Sequence, residues 1–556
     1  MFTALALLVA VPAAASFELV AHLTPSASDS FDALAWSIAD PESENYLSFL
    51  TPAELADHIG SPEETISAVS AWLSAAGGLD VRPNSLHTAV TASFPAEHSL
   101  LLTSAGLPDR DTHPEGVNFV VRRDARVTET EVDHPASPHR LASAVGAGSA
   151  YTIDAIKDAY NMPSDLQAQN EATTQMVWGP GSFGYSPLKL KQHARSECPL
   201  INTDKVVFDT DNHGESGGDN FGEGQLDVDM ITSFGLNVTT IVSNTNTSAS
   251  TEETTGFGAA LLDFVTDLAA RDTVPHVLSM SLGSLSAASC DLLCSQAVSD
   301  YGHTQQECED YMATQRQVCM YLSQGQTAAI NQGLQVLGTR GVTVLGSSGD
   351  GGSHFSFGSF SGGDNNISED LNAISCKNQI PVFPTASPYI LSIGGEMWDG
   401  EDSSKPITWA GYGGGSGSGF SIQFDAPEHQ KQTVAEYLAK DGMPGGFDST
   451  KRAYPDVSAV GVSGTSQSCP IFAGILSQII DMRLSAGLPP LGMIGPRVYQ
   501  VATQFPGEAF EDIVGGNSCT SCGEENGFPA TEGWDANTGF GRPQWDGMVK
   551  HFATDA

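Results

Sequence analysis

Basic residues are scarce in this chain. Of 556 residues only 24 are Lys or Arg, against 66 Asp or Glu, for a formal charge of −42. A surface of that sign repels polyphosphates and anionic headgroups, so neither nucleic acid nor a membrane is an expected partner. Long apolar runs are missing too: no later stretch reaches the roughly 18 consecutive apolar residues of a spanning helix. The apolar start, "MFTALALLVAVPAAAS", is too short to span. It ends in small residues, and residues 1–16 read as a signal peptide despite the lack of a positive n-region. The nine cysteines lack the paired CxxC…CxxC spacing of a zinc site, and Cys519/Cys522 stand alone. Together with the sequons at Asn237, Asn246 and Asn366, the cysteines suit an oxidising compartment. The expected destination is extracellular or a lysosome or vacuole. An odd cysteine count leaves at least one thiol outside an intrachain bridge, and Cys469 is the candidate.

The excess of carboxylates has two readings of equal weight: plain solubility, or a protein that works in acid, where protonation relieves the self-repulsion. Residues 17–120 read as a small α+β unit. "FELVAHLTPS" alternates like an edge strand. "DSFDALAWSIADPES" is a helix capped by Asp29/Ser30 and ended by Pro41, and "SPEETISAVSAWLSAAGG" is a second, with Ser61 as N-cap and Ile66, Val69 and Leu73 on one face. Residues 121–150, with Arg122, Arg123, Pro135, Pro138 and Arg140, read as an exposed linker suited to processing. From 151 the short apolar runs "KVVFD", "NVTTIV", "HVLSMSLG", "VTVLGSSGD" and "YILSIGG" alternate with helical stretches. That repetition argues for an α/β fold with a mostly parallel sheet flanked by helices, its functional groups at the carboxyl ends of the strands.

Three stretches carry chemistry. In "SGTSQSCP", Ser466 stands at the mouth of an apolar helix, where unpaired backbone N–H groups favour developing negative charge. Alone, it is better read as an ordinary helix cap, and it gains weight as a nucleophile only with partners. A serine nucleophile needs a base, and the nearest histidine motif, "FDTDNHGESGG", places Asp209 and His213 too close together to flank one serine; His213 reads as a loop histidine. In "GEGQLDVDM", Glu223 and Asp227 are four apart, so a helix puts both carboxylates on one face, where like charges gain by sharing a proton. Asp229 is off that stripe. The alternative is an ordinary acidic helix face. In "VTVLGSSGDGG", Asp350 follows a buried-type strand, at a site or merely in a turn.

Taken together, Glu223-x-x-x-Asp227, "SSGDGG" and "SGTSQSCP", in this order and spacing, resemble the sedolisin family of serine-carboxyl peptidases. "PHVLSMSLGS", "FPTASPYILSIGG" and "RAYPDVSAVG" add to the resemblance, and "DPESENYLSFLTPAELADHIG" is similar to the family's pro-segment. The resemblance implies a subtilisin-like catalytic domain over 151–556, preceded by a small α+β pro-domain. It implies Ser466 as nucleophile, Glu223 as general base, Asp227 as its proton-sharing partner and Asp350 in the oxyanion hole. A carboxylate base stays partly ionised in acid where a histidine would be protonated, so activity is expected at acid pH. A protonated Asp350 could donate to the oxyanion; an ionised one would repel it. "FEDIVGGNSC" and "GFPATEGWDANTGFG" resemble the family's calcium loop. This implies one structural Ca2+ held by carboxylates of Asp512 and Asp535 and carbonyls of Ile513, Thr531 and Gly533. Thr531 departs from the glycine common in relatives. Cys290 to Cys319 looks like an insertion with two local disulfides, whose pairing stays open.

The expectation is therefore a zymogen acid peptidase, removing tripeptides or cutting internally, monomeric, with peptides or proteins as substrates and its pro-segment as intramolecular inhibitor and chaperone. A non-catalytic, calcium-stabilised binding protein of the same fold is the alternative. A conventional subtilisin-type enzyme using His213 is a third reading. The proposed pro-segment also holds His22, His58, His87, His98, His113, His134 and His139, which would charge near pH 6 and change its grip in a direction that sequence does not fix.

Overall fold

The alternating stretch "FELVAHL" forms β1 (Ser16–Leu23). In the computed structural model, residues 16–24, 28–95, 114–124, 150–180, 183–209, 222–245, 257–314, 324–355, 366–411, 414–519 and 522–554 are described. Contacts divide the chain into two units: residues 1–31, 51–134 and 246–255, and residues 32–50, 135–245 and 256–556. The division falls inside helix α1 (Ser28–Ala39) and groups 32–50 with the larger unit.

In the smaller unit, β1 is an inner strand rather than the expected edge. It lies antiparallel between β3 (Ala89–Pro95) and β4 (Val117–Asp124), and β2 (Leu79–Pro83) pairs with β3. Its alternation marks one apolar face, Phe17, Leu19, Ala21 and Leu23, with Glu18, Val20 and His22 on the other. Phe17, Leu19, Ala21 and Leu23 meet Ile66, Val69 and Leu73 of helix α3 (Glu63–Ala75), a period-2 strand face against a helical face. Each of these three helix side chains contributes roughly 2 kcal/mol on burial. Ser61 does not cap this helix. Pro62 occupies the N-cap position, and the Ser61 hydroxyl donates to the Thr24 carbonyl at 2.9 Å. A further helix, α2 (Pro52–Ile59), starts on a capping box in which Thr51 and Glu54 satisfy each other's backbone N–H groups. Of the seven histidines, His98, His113, His134 and His139 lie outside the described residues, as do residues 1–15 and most of the linker.

In the larger unit the apolar runs all become strands. The central sheet contains β5 (Thr174–Pro180), β6 (Val206–Phe208), β7 (Thr239–Thr245), β8 (Val277–Met280), β9 (Thr343–Ser347), β10 (Leu391–Trp398) and β11 (Pro406–Thr408). Their order is β11-β10-β9-β8-β5-β7-β6, and β12 (Val457–Val460) adds to β10. All pairings are parallel except β10 with β11. Helices α4 (Gly222–Phe234), α5 (Phe257–Ala270), α6 (Gln324–Thr339) and α7 (Thr465–Ser485) pack on it. α7 is apolar and enclosed along most of its length and packs against α4, so it is the core helix. No helix among the described residues is long and apolar enough to cross a membrane. The parallel arrangement aims the carboxyl ends of β8, β9 and β12 at one edge, and the segments that follow them are those with candidate chemistry.

Candidate active site

Ser466 is the second residue of α7, 8 % exposed. Pro470 lies inside that helix and has no N–H, so the Ser466 carbonyl loses its partner four residues on. It accepts instead from the hydroxyl of Ser281, just past β8, at 3.4 Å. The Ser466 hydroxyl lies 3.3 Å from the Ser281 carbonyl. Ser281 therefore touches the serine through both backbone and side chain.

Its hydroxyl also donates to Asp227 Oδ1 at 2.8 Å. Asp227 sits one turn after Glu223 on α4, so the i, i+4 spacing does put both carboxyls on one face. Asp227 is fully buried, and its Oδ2 and Glu223 Oε1 are enclosed without a hydrogen bond. Burial raises Glu223 above the usual carboxylate range; the nearby Ser466 hydroxyl works against that rise, and the charge of Asp350 adds to it. Asp227 is raised further, by burial first and by Glu223 second. Two adjacent enclosed carboxyls thus favour holding one proton between them.

Asp350 follows β9. Its Oδ1 accepts the Thr465 backbone N–H at 2.8 Å and the Thr465 hydroxyl at 2.9 Å, so it caps α7 from another element. The Thr465 hydroxyl also accepts from the Gly349 N–H at 3.1 Å. The residue between, Gly464, has φ +95°, and a Cβ there would lie 2.6 Å from Asp350 Oδ2. Only glycine admits that approach. The four expected residues are thereby brought together at the carboxyl edge of the sheet. Ser281 and Thr465, which hold two of them, were not singled out from the sequence; their signals were a polar residue ending an apolar strand and the Thr of "GTS".

His213 lies outside the described residues. Asp209 is engaged elsewhere: Arg271 donates to both its oxygens, at 3.0 and 2.8 Å, and Ser243 to Oδ2 at 2.9 Å. Asp229, off the stripe, accepts from Gln225 at 2.8 Å, and burial raises it to about 7. Cys469 is a buried thiol beside Ser279, at 3.3 Å, pushed up to about 12 by burial. A thiol so reluctant to ionise is inert packing beneath the site.

Residues 8–105 match the family model "Pro-kumamolisin, activation domain". Tripeptidyl-peptidase 1 of Canis lupus familiaris is 26 % identical over 571 residues, covering 93 % of this chain and 88 % of the relative. The probable tripeptidyl-peptidase SED2 of Arthroderma benhamiae is 34 % identical over 241 residues, 38 % of this chain and 37 % of the relative. The solved structure of Pseudomonas sedolisin, a serine-carboxyl proteinase, aligns with TM-score 0.50 at 20 % identity, covering 74 % of this chain and 98 % of that one. The chain is a sedolisin-family peptidase with a pro-segment.

In this sedolisin-family chain the expected calcium residues also converge. Asp512 Oδ2 accepts the Gly533 N–H at 2.7 Å, while its Oδ1 is buried without a hydrogen bond. Asp535 is fully buried and accepts from the N–H groups of Thr531, Asn537 and Thr538 at 2.9, 3.0 and 2.8 Å. A fully buried carboxylate and a half-buried one whose charge acts on it, the latter with an orphaned oxygen, fit a hard cation. Lys440 stands beside them, donating to Thr531 Oγ1 at 2.9 Å and to the Glu532 carbonyl. Of the insertion's cysteines, Cys294 pairs with Cys308, and Cys290 is also bridged. Cys376 pairs with Cys522 across 146 residues, a bridge that spacing did not reveal. His354 lies within 4.8 Å of both sulfurs, but sulfurs bonded to each other are not metal ligands.

Proposed function

We propose that this peptidase is a zymogen acid enzyme in which Ser466 is the nucleophile, Glu223 the general base, Asp227 its proton-sharing partner and Asp350 the oxyanion donor. One observation carries the reading: the Ser466 hydroxyl donates to the carbonyl of Ser281 at 3.3 Å, and the Ser281 hydroxyl donates to the fully buried Asp227 at 2.8 Å, one helical turn from Glu223. Glu223 takes the Ser466 proton as Oγ attacks the scissile carbonyl. Asp227 keeps the shared proton toward Glu223 and steadies the charge that moves between them. Asp350, positioned by Thr465, is the oxyanion donor in its protonated form. Glu223 then protonates the leaving amine, and a water repeats the sequence to free the enzyme.

The pH dependence follows in sign. Burial lifts Glu223, so its ionisation, and the acid limb of activity, falls above the ordinary value of 4.5. The alkaline limb marks loss of the protons that Asp227 and Asp350 must carry. Relatives spanning most of the chain are named tripeptidyl-peptidases, which favours release of N-terminal tripeptides. The pro-segment acts as intramolecular inhibitor and chaperone, and secretion or a lysosomal or vacuolar destination agrees with the apolar N-terminus and the disulfides. One Ca2+, held by Asp512 and Asp535 with carbonyls of Ile513, Thr531 and Gly533, would brace the C-terminal loops.

The test is hydrolysis of a long peptide with a free N-terminus, read by mass spectrometry from pH 3 to 7. Ser466→Ala is expected to abolish turnover while leaving the fold intact, and Glu223→Gln to do nearly the same. Tripeptide products support the exopeptidase reading, and internal fragments an endopeptidase. An active Ser466→Ala overturns the assignment.

A further inference from the structure

Residues 32–50 fall inside the stretch matched by the activation-domain model, yet they pack within the larger unit. Three side chains anchor them. Asp32 accepts from Gln335 Nε2 at 2.8 Å and from the Tyr389 hydroxyl at 2.5 Å. Trp36, one turn later on α1 and so on the same face, contacts the rings of Tyr389 and His429, with centroids 5.4 and 5.6 Å away. Ala35 and Ala39 are buried beside them against Met493. Phe49 fills a hole between two glycines: a Cβ at Gly492 would lie 2.5 Å from its ring and one at Gly341 3.1 Å. Leu50 N–H then donates to the Thr339 carbonyl at 2.9 Å.

The place of these anchors matters. Thr339 and Gly341 precede β9, and Tyr389 precedes β10, so the anchored surface lies at the amino ends of those parallel strands. Asp350 follows the carboxyl end of β9, and the five residues of that strand span about 16 Å. Filling this surface therefore does not itself fill the catalytic edge. An aromatic slot, an amide and a phenol that donate to one carboxylate, and a glycine-lined hole, all occupied at once, make a built peptide site.

We propose that this surface is an exosite of the peptidase, whose ligand is the Asp32–Trp36–Phe49 segment of its own pro-segment and which retains the pro-segment after the connecting chain is cut. The inference rests on the reading above that the pro-segment is removed; the exosite itself rests on the packing of 32–50. The substituted residues leave with the pro-segment, so the mature enzyme is identical in every variant.

The full-length chain and its Trp36→Ala, Phe49→Ala and Asp32→Asn variants are processed at acid pH, diluted in steps and separated by size exclusion. The fraction of pro-fragment co-eluting with the peptidase gives its apparent Kd. Trp36→Ala and Phe49→Ala are each expected to weaken retention about 10-fold or more, with kcat/KM of the purified mature enzyme unchanged. Asp32→Asn keeps the shape of its side chain, so it reports the contact even if an aromatic variant fails to fold, with an expected loss of about 3-fold or more. Variant fragments retained within two-fold of wild type overturn the exosite. A wild-type chain that never processes itself counts instead against the zymogen reading. Cutting residues 125–149 with an added protease in a Ser466→Ala background then still measures retention, so the two failures are told apart.

Discussion

Replacing Glu396 by Gln should change how stability depends on pH, although Glu396 is outside the candidate active site. Its side chain is fully buried on β10, with Tyr160 donating to Oε1 at 2.9 Å and the Arg542 guanidinium 3.7 Å from Oε2. Burial raises its pKa from 4.5 to about 7, with Arg542 opposing. Between those values the folded chain holds a proton that the unfolded chain has released. Stability from this group is therefore complete below about pH 4.5 and is lost as pH rises through about 7. The shift is about 2.5 pH units, worth roughly 3 kcal/mol at 1.36 kcal/mol per unit. Gln is neutral throughout, so E396Q removes that slope. In a Ser466→Ala background, which prevents self-digestion, urea unfolding at steps from pH 4 to 8 gives the difference between wild type and variant. The variant should be no more stable than wild type at pH 4 and gain on it by about 3 kcal/mol by pH 8. A difference that stays flat across this range would refute the reasoning.

Three further outcomes are expected. Ser281→Ala removes the donor on Asp227 Oδ1 and should lower kcat about 10-fold with KM little changed, partly restored by Thr; an unaltered kcat would leave Ser281 without a role. Gly464→Ala places a methyl 2.6 Å from Asp350 Oδ2 at φ +95° and should cost at least about 10-fold in kcat/KM, measured on correctly processed enzyme. Chelation should lower the thermal midpoint by several degrees, with Ca2+ restoring it and Asp512→Ala insensitive to both; equal chelator sensitivity in that variant would count against the calcium loop.

Local pattern and long-range pairing differ in how plainly they can be read from residues alone. The five apolar runs were legible as strands because buried parallel strands are continuously apolar and end in turn residues. Glu223 and Asp227 were legible because helical spacing alone puts them on one face. β1 was misplaced as an edge because alternation records which face a strand buries, not how many neighbours it pairs with. α2 was passed over although "TPAE" holds the capping-box pattern. Ser61 precedes a proline that takes the N-cap position, so its hydroxyl found Thr24 instead. The Cys376–Cys522 bridge and the grouping of 32–50 with the larger unit depend on contacts between distant segments, and no local period encodes them.

The hydrogen bonds from Thr465 to Asp350 close a loop of 115 residues. Loops of that length form late in folding, after the local helices and the neighbouring strands have ordered. A chain emerging from synthesis therefore carries its proposed nucleophile and oxyanion residue as separate, harmless segments. The proposed site is therefore complete only when the sheet between these segments has formed.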